Sequence, residues 1–298
     1  MPYRNIFIAN KSDLRVKNHQ LIVDNGEVFS FPLEDIRSVL IDNCCCMLSS
    51  NLICALSRYG VCLILCNEKH MPVCQLLPIS SYCRMNKRIS LQFKQTKPKL
   101  KRMWQAIVQA KIKNQARCLE MNSIEECKKL YSISSSVLSG DTTNREGYAA
   151  NLYFKSLFGS NFTRSEENST NSALNYGYAI IRSFISKTLV AEGFEPSLGI
   201  HHKSQLNSFN FSDDVIEPFR PVVDNFVFNN ISECGDFSTC EKAQLLKLLN
   251  CKMKVNGDIC SLSTAVNLMI QSIITSFENS DIELKLPEIT ETEYFNYD

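Results

Sequence analysis

The spacing of apolar residues changes once along the chain, and that change constrains the fold more than any other feature. Before residue 77 the apolar residues come in short runs: Asn5 to Ala9, Leu21-Ile22-Val23, Val28-Phe29-Ser30-Phe31, Ser38-Val39-Leu40-Ile41-Asp42 and Val61-Cys62-Leu63-Ile64-Leu65-Cys66. Runs of this length between turn formers predict strands. Asp24-Asn25-Gly26-Glu27 separates two of them, and Asn-Gly at such a place predicts a hairpin, because the favoured turn needs positive φ at both central residues. Ser49 and Ser50 predict the cap of a short helix running through Ile53, Ala55 and Leu56 to Gly60. From Lys97 onward strand patterns nearly vanish, and apolar positions recur at helical spacing, as in Leu174, Gly177/Tyr178, Ile181, Ile185 and Leu189. The chain therefore reads as α+β: a small β domain over residues 1–77, then a connector and a helical domain over 78–298. The stretch Pro78 to Lys99, with two prolines and many basic residues, is the expected connector and first helix. The tail from Asp281 to Asp298 carries six acidic residues and one Lys, which predicts a frayed or partner-dependent end.

Two domains suit a length of 298 residues, on a scale of about 100–200 residues per domain. A chain that is 44% hydrophobic and 21% charged, with 10 Gly and 9 Pro, is neither disordered nor collagen-like. No apolar run approaches the roughly 20 residues needed to cross a bilayer, and the residues after Met1 lack a signal-peptide core. The expectation is a soluble, cytoplasmic protein with no membrane partner. Fourteen cysteines without an export signal or any C-x-x-C pair point to buried thiols acting as small hydrophobes rather than to disulfides or zinc.

The net charge of +1 conceals an uneven distribution: residues 1–77 sum to zero, residues 78–119 to +11 and residues 120–298 to −10. The middle stretch holds Arg84, Lys87, Arg88, Lys94, Lys97, Lys99, Lys101, Arg102, Lys111, Lys113 and Arg117 without one acidic residue, interleaved with Tyr82, Phe93 and Trp104. Phosphate is its natural partner, although a solvated helix face balanced by the acidic region would look the same.

Three stretches of the helical region carry ligand-type residues in apolar surroundings: Asn144-Arg145-Glu146-Gly147-Tyr148-Ala149-Ala150, Gly199-Ile200-His201-His202, and Asp213-Asp214-Val215-Ile216-Glu217-Pro218-Phe219-Arg220-Pro221. Glu146 opens a helix, where a carboxylate either caps or binds. Asp214 and Glu217 share a face if their turn is helical, while Pro218 biases Glu217 toward a break that would expose it. Singly, each has an ordinary structural explanation. Together, two carboxylates and an imidazole make a mixed oxygen and nitrogen site suited to Mg²⁺ or Mn²⁺, which points to metal-assisted phosphodiester chemistry.

These stretches, with Leu174-Asn175-Tyr176-Gly177-Tyr178-Ala179 and Gly60 to His70, resemble the CRISPR-associated integrase, the larger catalytic subunit of the spacer-acquisition complex, in the version that accompanies type II systems. The resemblance implies an N-terminal β-sandwich-like domain that dimerises and an all-α catalytic domain. It implies Glu146, His202 and Glu217 as metal ligands and catalytic residues, His202 rather than His201 because the family's ligand is the second of the two. Asp214 and Arg220 would support the site, and Lys203 would help position DNA. Arg84, Lys87, Arg88, Lys94, Lys97, Lys101 and Arg102 would meet the duplex. The implied activity joins 3′-hydroxyl ends of short double-stranded DNA fragments to CRISPR repeat borders. The implied partners are a second copy of the chain, a small ferredoxin-like subunit bridging two dimers, and other type II adaptation and effector proteins. A standalone metal-dependent nuclease for branched DNA and a non-catalytic DNA-binding scaffold stay open beside it. Tyr148 stands where many relatives have His.

Overall fold

A computed structural model describes residues 2–77, 85–231 and 237–295. The first part consists of strands β1 (Arg4–Ile8), β2 (Asp13–Lys17), β3 (Gln20–Asp24), β4 (Val28–Pro32), β5 (Ile36–Ile41) and β6 (Met47–Leu48), helix α1 (Ser50–Arg58), and strands β7 (Cys62–Cys66) and β8 (Pro72–Gln75). They form two sheets, ordered β1-β5-β7-β8 and β4-β3-β2-β6. The first is parallel from β1 through β7, and a parallel strand needs cover on both faces. Both faces of this sheet are indeed covered. Val39, Ile41 and Leu63 point into the small core shared with Leu14, Leu21 and Leu52. Leu40, Cys62, Ile64 and Cys66, on the alternate face, belong to the large core of the helical half. That double burial explains why β5 and β7 read as unbroken apolar runs. The hairpin at Asn25-Gly26-Glu27 is a three-residue connection between Asp24 and Val28, with positive φ at Gly26 and not at Asn25.

The helical half contains α2 (Met85–Lys94), α3 (Lys97–Met121), α4 (Cys127–Ser135), α5 (Arg145–Phe158), α6 (Ser169–Ala191), α7 (Asn210–Ile216), α8 (Arg220–Asn230), α9 (Thr239–Lys247) and α10 (Leu262–Glu278). Residues 78–84 of the expected connector lie outside the described residues. Helix α3 runs through the large core, with Met103, Trp104, Ile107, Val108, Ile112 and Leu119 buried along it. Gly177 lets α6 approach α8: a Cβ there would meet Val223 Cγ1 at 2.5 Å.

The helical half also carries a sheet that the spacing did not predict. Strands β9 (Cys251–Val255), β10 (Asp258–Ser261) and β11 (Pro287–Tyr294) pair in the order β10-β9-β11. The acidic tail is therefore not frayed over this stretch. It returns antiparallel to β9, Ile289 opposite Met253, and Asn114 of α3 ties it down by donating to Pro287 O at 3.0 Å and accepting from Ile289 N at 3.2 Å.

The cysteines behave as buried or surface thiols, free among the described residues. Burial pushes the Cys62 and Cys66 thiols up to about 12, so neither carries thiolate at neutral pH. Of the described residues, no helix is long and apolar enough to cross a membrane.

Asp224 on α8 is buried and receives the Tyr178 hydroxyl. Burial raises its pKa to about 6, against a smaller opposing pull from that hydroxyl. An unfolded aspartate ionises near ~3.9, so between about pH 4 and 6 the native state holds a proton that the unfolded state has lost. The contribution is fully present below pH 4 and is lost as pH rises through 6. Its size is about 3 kcal/mol, from roughly two units at ~1.4 kcal/mol each. Urea melts across pH 4–7 should show Asp224→Asn gaining stability relative to wild type as pH rises, and then levelling off. A constant difference over that range would remove Asp224 as the titrating group.

Candidate active site

Three elements meet where α3 crosses the 3-10 turn between α7 and α8. Pro218 cannot continue an α-helical hydrogen-bond ladder, and residues Glu217–Phe219 form a single 3-10 turn between α7 and α8. Asn114 of α3 fixes that turn by donating to Pro218 O at 2.7 Å. Glu146 comes from the first turn of α5. Asn144, at φ 50°, caps that helix by accepting from Gly147 N, and Asp141 accepts from the amides of Arg145 and Glu146 at 2.8 and 2.9 Å. Lys111 of α3 lies between the two glutamates, its Nζ 2.6 Å from Glu146 Oε1 and 2.5 Å from Glu217 Oε2.

The break does not expose Glu217, which is 4% exposed. Instead it turns the carboxylate inward, where Arg220 Nε donates to Oε1 at 2.9 Å. Burial alone would raise the Glu217 carboxyl, but Arg220 and Lys111 outweigh it and hold the group at about 2. Lys111 is the reciprocal case: burial lowers its pKa, Glu217 and Glu146 raise it, and the net shift is upward. At neutral pH Glu217 is therefore an anion between two cations, Lys111 and Arg220.

His202 is held by the loop before α7. A carboxylate can only accept, so the 2.6 Å contact with Asp214 Oδ1 assigns the proton to His202 Nδ1. Asp214, wholly buried, also accepts from the amides of His201 and His202 at 2.9 and 3.2 Å. The Asp214 hydrogen bond raises the His202 pKa against the opposing effect of burial. The Trp104 ring lies flat on His201, centroids 4.3 Å apart, and edge-on to His202 at 5.5 Å. Those contacts leave His202 Nε2 without a hydrogen-bond partner among the described residues, which is the atom a metal takes when a carboxylate orients the other nitrogen.

Among the described residues, no three His, Cys, Asp or Glu side chains stand together at metal-ligating spacing. The donor chemistry nevertheless suits a small hard cation. Glu146 and Glu217 already converge on one positive centre, and the buried Glu217 Oε2 lies against it outside hydrogen-bond geometry. Two carboxylates plus an oriented imidazole are ligands for Mg²⁺ or Mn²⁺.

Residues 6–247 match the family described as CRISPR associated protein Cas1. The chain is 37% identical over 305 residues to the CRISPR-associated endonuclease Cas1 of Neisseria meningitidis serogroup C, covering 100% of both. This chain belongs to the Cas1 family. Its fold is similar to that of a casposase bound to integration product, with a TM-score of 0.75 and 16% identity over 95% of this chain and 92% of the other. It is also similar to the Cas6-RT-Cas1–Cas2 complex, with a TM-score of 0.72 and 16% identity over 95% of this chain and 36% of that one.

In this Cas1-family chain the residues expected to meet DNA divide into two groups. Lys94, Lys97, Lys101 and Arg102 on α2 and α3 are exposed, as is Lys203 beside His202. Lys87 is exposed but pairs with Glu278 at 2.9 Å. Arg88 departs from the expectation: it is buried and pairs with the same carboxylate at 3.0 Å, so its charge is neutralised within the fold. Arg84 lies outside the described residues. Arg220 pairs with Glu217. Tyr148 is exposed with Lys129 over its ring.

Lys111 was readable only as one more cation of the basic stretch. A helical wheel would have separated it, because it lies seven residues from Trp104 on the buried side of α3. Trp104, Asn114 and Asp141 hold the site without carrying a signal of their own in the sequence.

Proposed function

We propose that this chain is the metal-dependent DNA integrase and endonuclease of CRISPR adaptation, joining 3′-hydroxyl ends of short duplex fragments to repeat borders by transesterification. The observation that carries this reading is the convergence of Glu146 and Glu217 on one buried cation, with an imidazole that Asp214 orients and that feels the Glu217 charge. The relative's name, an endonuclease, and the casposase's integration product support it.

In the reaction, the attacking 3′-oxygen bonds to phosphorus as the bond to the repeat's own 3′-oxygen breaks. The proton of the attacking hydroxyl ends on the departing oxygen. One phosphodiester replaces another, so no protein nucleophile and no energy-rich co-substrate is needed. Mg²⁺ or Mn²⁺ held by Glu146, His202 and Glu217 would neutralise the scissile phosphate and favour ionisation of the attacking hydroxyl. Glu217 remains an anion throughout the neutral range because its pKa is held at about 2. Lys111 and Arg220 add fixed positive charge next to the place where phosphate charge builds, preorganised by their glutamate partners. Lys203 and the exposed cations of α2 and α3 offer sequence-independent contacts to the DNA backbone. We further propose a homodimer working with a small ferredoxin-like subunit of the Cas2 type. The Cas2 named in the complex of similar fold supports that partnership.

The test is joining of a labelled short duplex with free 3′-hydroxyls to a supercoiled, repeat-bearing plasmid, with the partner subunit and Mg²⁺ or Mn²⁺. Glu146→Gln is expected to reduce joining by at least about 100-fold, the scale on which metal sites respond to loss of a single partner. Cutting without joining would replace the integrase with the branched-DNA nuclease. Binding with neither would leave the scaffold.

A further inference from the structure

The carboxylates that would hold a metal are already engaged by the chain's own cations. Arg220 Nε donates to Glu217 Oε1 at 2.9 Å, which leaves Oε2 as the freer oxygen of that residue. Oε2 faces Lys111 Nζ at 2.5 Å, outside hydrogen-bond geometry. The same nitrogen donates to Glu146 Oε1 at 2.6 Å. Lys111 is buried and comes from α3, which packs against both α5 and the 3-10 turn of Glu217. Mg²⁺ needs bonds of about 2.1 Å to its oxygen ligands, and the gap in which it could make them to these two oxygens is the one the ammonium fills.

Two carboxylates brought together in a buried place repel each other, and a buried charge without a partner is strongly destabilising. Lys111 removes that cost with no metal present, so the first turn of α5 and the 3-10 turn can close on each other. The imidazole is gathered separately. Asp214 accepts from His202 Nδ1 at 2.6 Å, and among the described residues no three His, Cys, Asp or Glu side chains stand together at ligating spacing. The two glutamates are thus drawn to an ammonium and not to the histidine.

We propose that Lys111 is a built-in placeholder for the metal: its ammonium holds Glu146 and Glu217 together in the metal-free protein and has to leave the gap before a divalent cation can enter. The inference rests on the reading of Glu146, His202 and Glu217 as the metal site. The exchange makes and breaks only ionic and coordination contacts, and Lys111 keeps its proton. Its flexible four-carbon stem lets the displaced ammonium stay at the rim of the same site, where the charge of the scissile phosphate develops. The affinity of the protein for metal is then lower than that of the open site, by the fraction of molecules in which the gap is open.

The experiment titrates Mn²⁺ into the full chain after treatment with EDTA, reading the free ion by electron paramagnetic resonance, with joining assayed in parallel. Lys111→Met removes the ammonium and keeps most of its volume. Lys111→Gln keeps a donor between the carboxylates and covers the case in which the methionine variant does not fold. Each is expected to bind Mn²⁺ at least about tenfold more tightly than wild type, and to gain more in Tm from the ion than wild type does. A lysine with a merely structural role predicts the reverse, since a loosened site binds metal less well. Lys113→Gln, which removes an exposed charge two residues along α3, should leave the affinity unchanged. Adding Glu217→Gln to Lys111→Gln should cancel the gain. Tight binding that survives that addition, or Lys111 variants that bind Mn²⁺ no more tightly than wild type, would overturn the placeholder whatever joining does. If the Lys111 variants bind more tightly while wild type joins nothing, the placeholder stands and the integrase reading falls.

Discussion

Glu217→Gln is expected to abolish metal-dependent joining and cutting, by a factor on the order of 10³, and to destabilise the fold at the same time. The activity loss follows from removing a carboxylate that is ionised at all working pH and that would hold the metal. The stability loss has a separate cause. Glu217 is the one acidic group within ion-pair distance of Arg220 among the described residues, and it shares Lys111 with Glu146. The glutamine leaves two cations facing one glutamate in a site from which water is largely excluded. Breaking a buried pair from one side costs about 3–5 kcal/mol, and urea melts without metal would read it. A full loss of activity at unchanged stability would mean that the Lys111 and Arg220 contacts contribute little net energy. Full activity would remove Glu217 from the reaction.

The parts of this molecule that were legible in the sequence are those where burial is extreme. Strands β5 and β7 are covered on both faces and announced themselves as apolar runs. Strand β2 did not, because in Asp13-Leu14-Arg15-Val16-Lys17 only the alternate residues turn inward. The hairpin of β9 and β10 carries the same Asn-Gly signal as the first one, at Asn256 and Gly257, both at positive φ. Its alternation of Cys251, Met253 and Val255 with lysines was outweighed by the helical patterns on either side. The charge of the tail predicts a frayed or partner-dependent end. Its strand is held by backbone pairing, by Asn114 and by Ile289, which enters the large core; a single buried apolar residue among acidic ones is a weak signal in the sequence.

The same division applies to the site. Carboxylates and histidines in apolar surroundings are conspicuous, so Glu146, the His201-His202 pair, the Asp213-Asp214 pair and Glu217 stand out, while the preference for His202 over His201 came from the resemblance to the family. A basic run, by contrast, does not say which of its cations face inward, and both Arg88 and Lys111 are buried among carboxylates.

Gly199→Ala tests how tightly that fold must close around the histidine. Gly199 does not need a left-handed backbone; what it needs is room. A Cβ at this position would lie 2.5 Å from the backbone oxygen of His202 and 2.7 Å from Asp214 Oδ2. Neither atom is the end of a flexible chain. The first belongs to the loop that carries the imidazole, and the second accepts the His201 amide at 2.9 Å. A methyl group there has to push the His202 backbone away from the carboxylate that fixes its ring, and overpacking of a tight site costs about 1–3 kcal/mol. Because Asp214 orients His202 through both the ring and the amide, the displacement should reach Nε2 and lower joining by about 10–100-fold, as loss of a supporting partner does at metal sites. Joining rates and thermal melts of Gly199→Ala, read beside Asp214→Asn, would check this. Both variants should lose rate by similar factors if they fail for the same reason. A Gly199→Ala protein that joins DNA at the wild-type rate would show that the loop takes up the methyl group without moving the imidazole off Asp214.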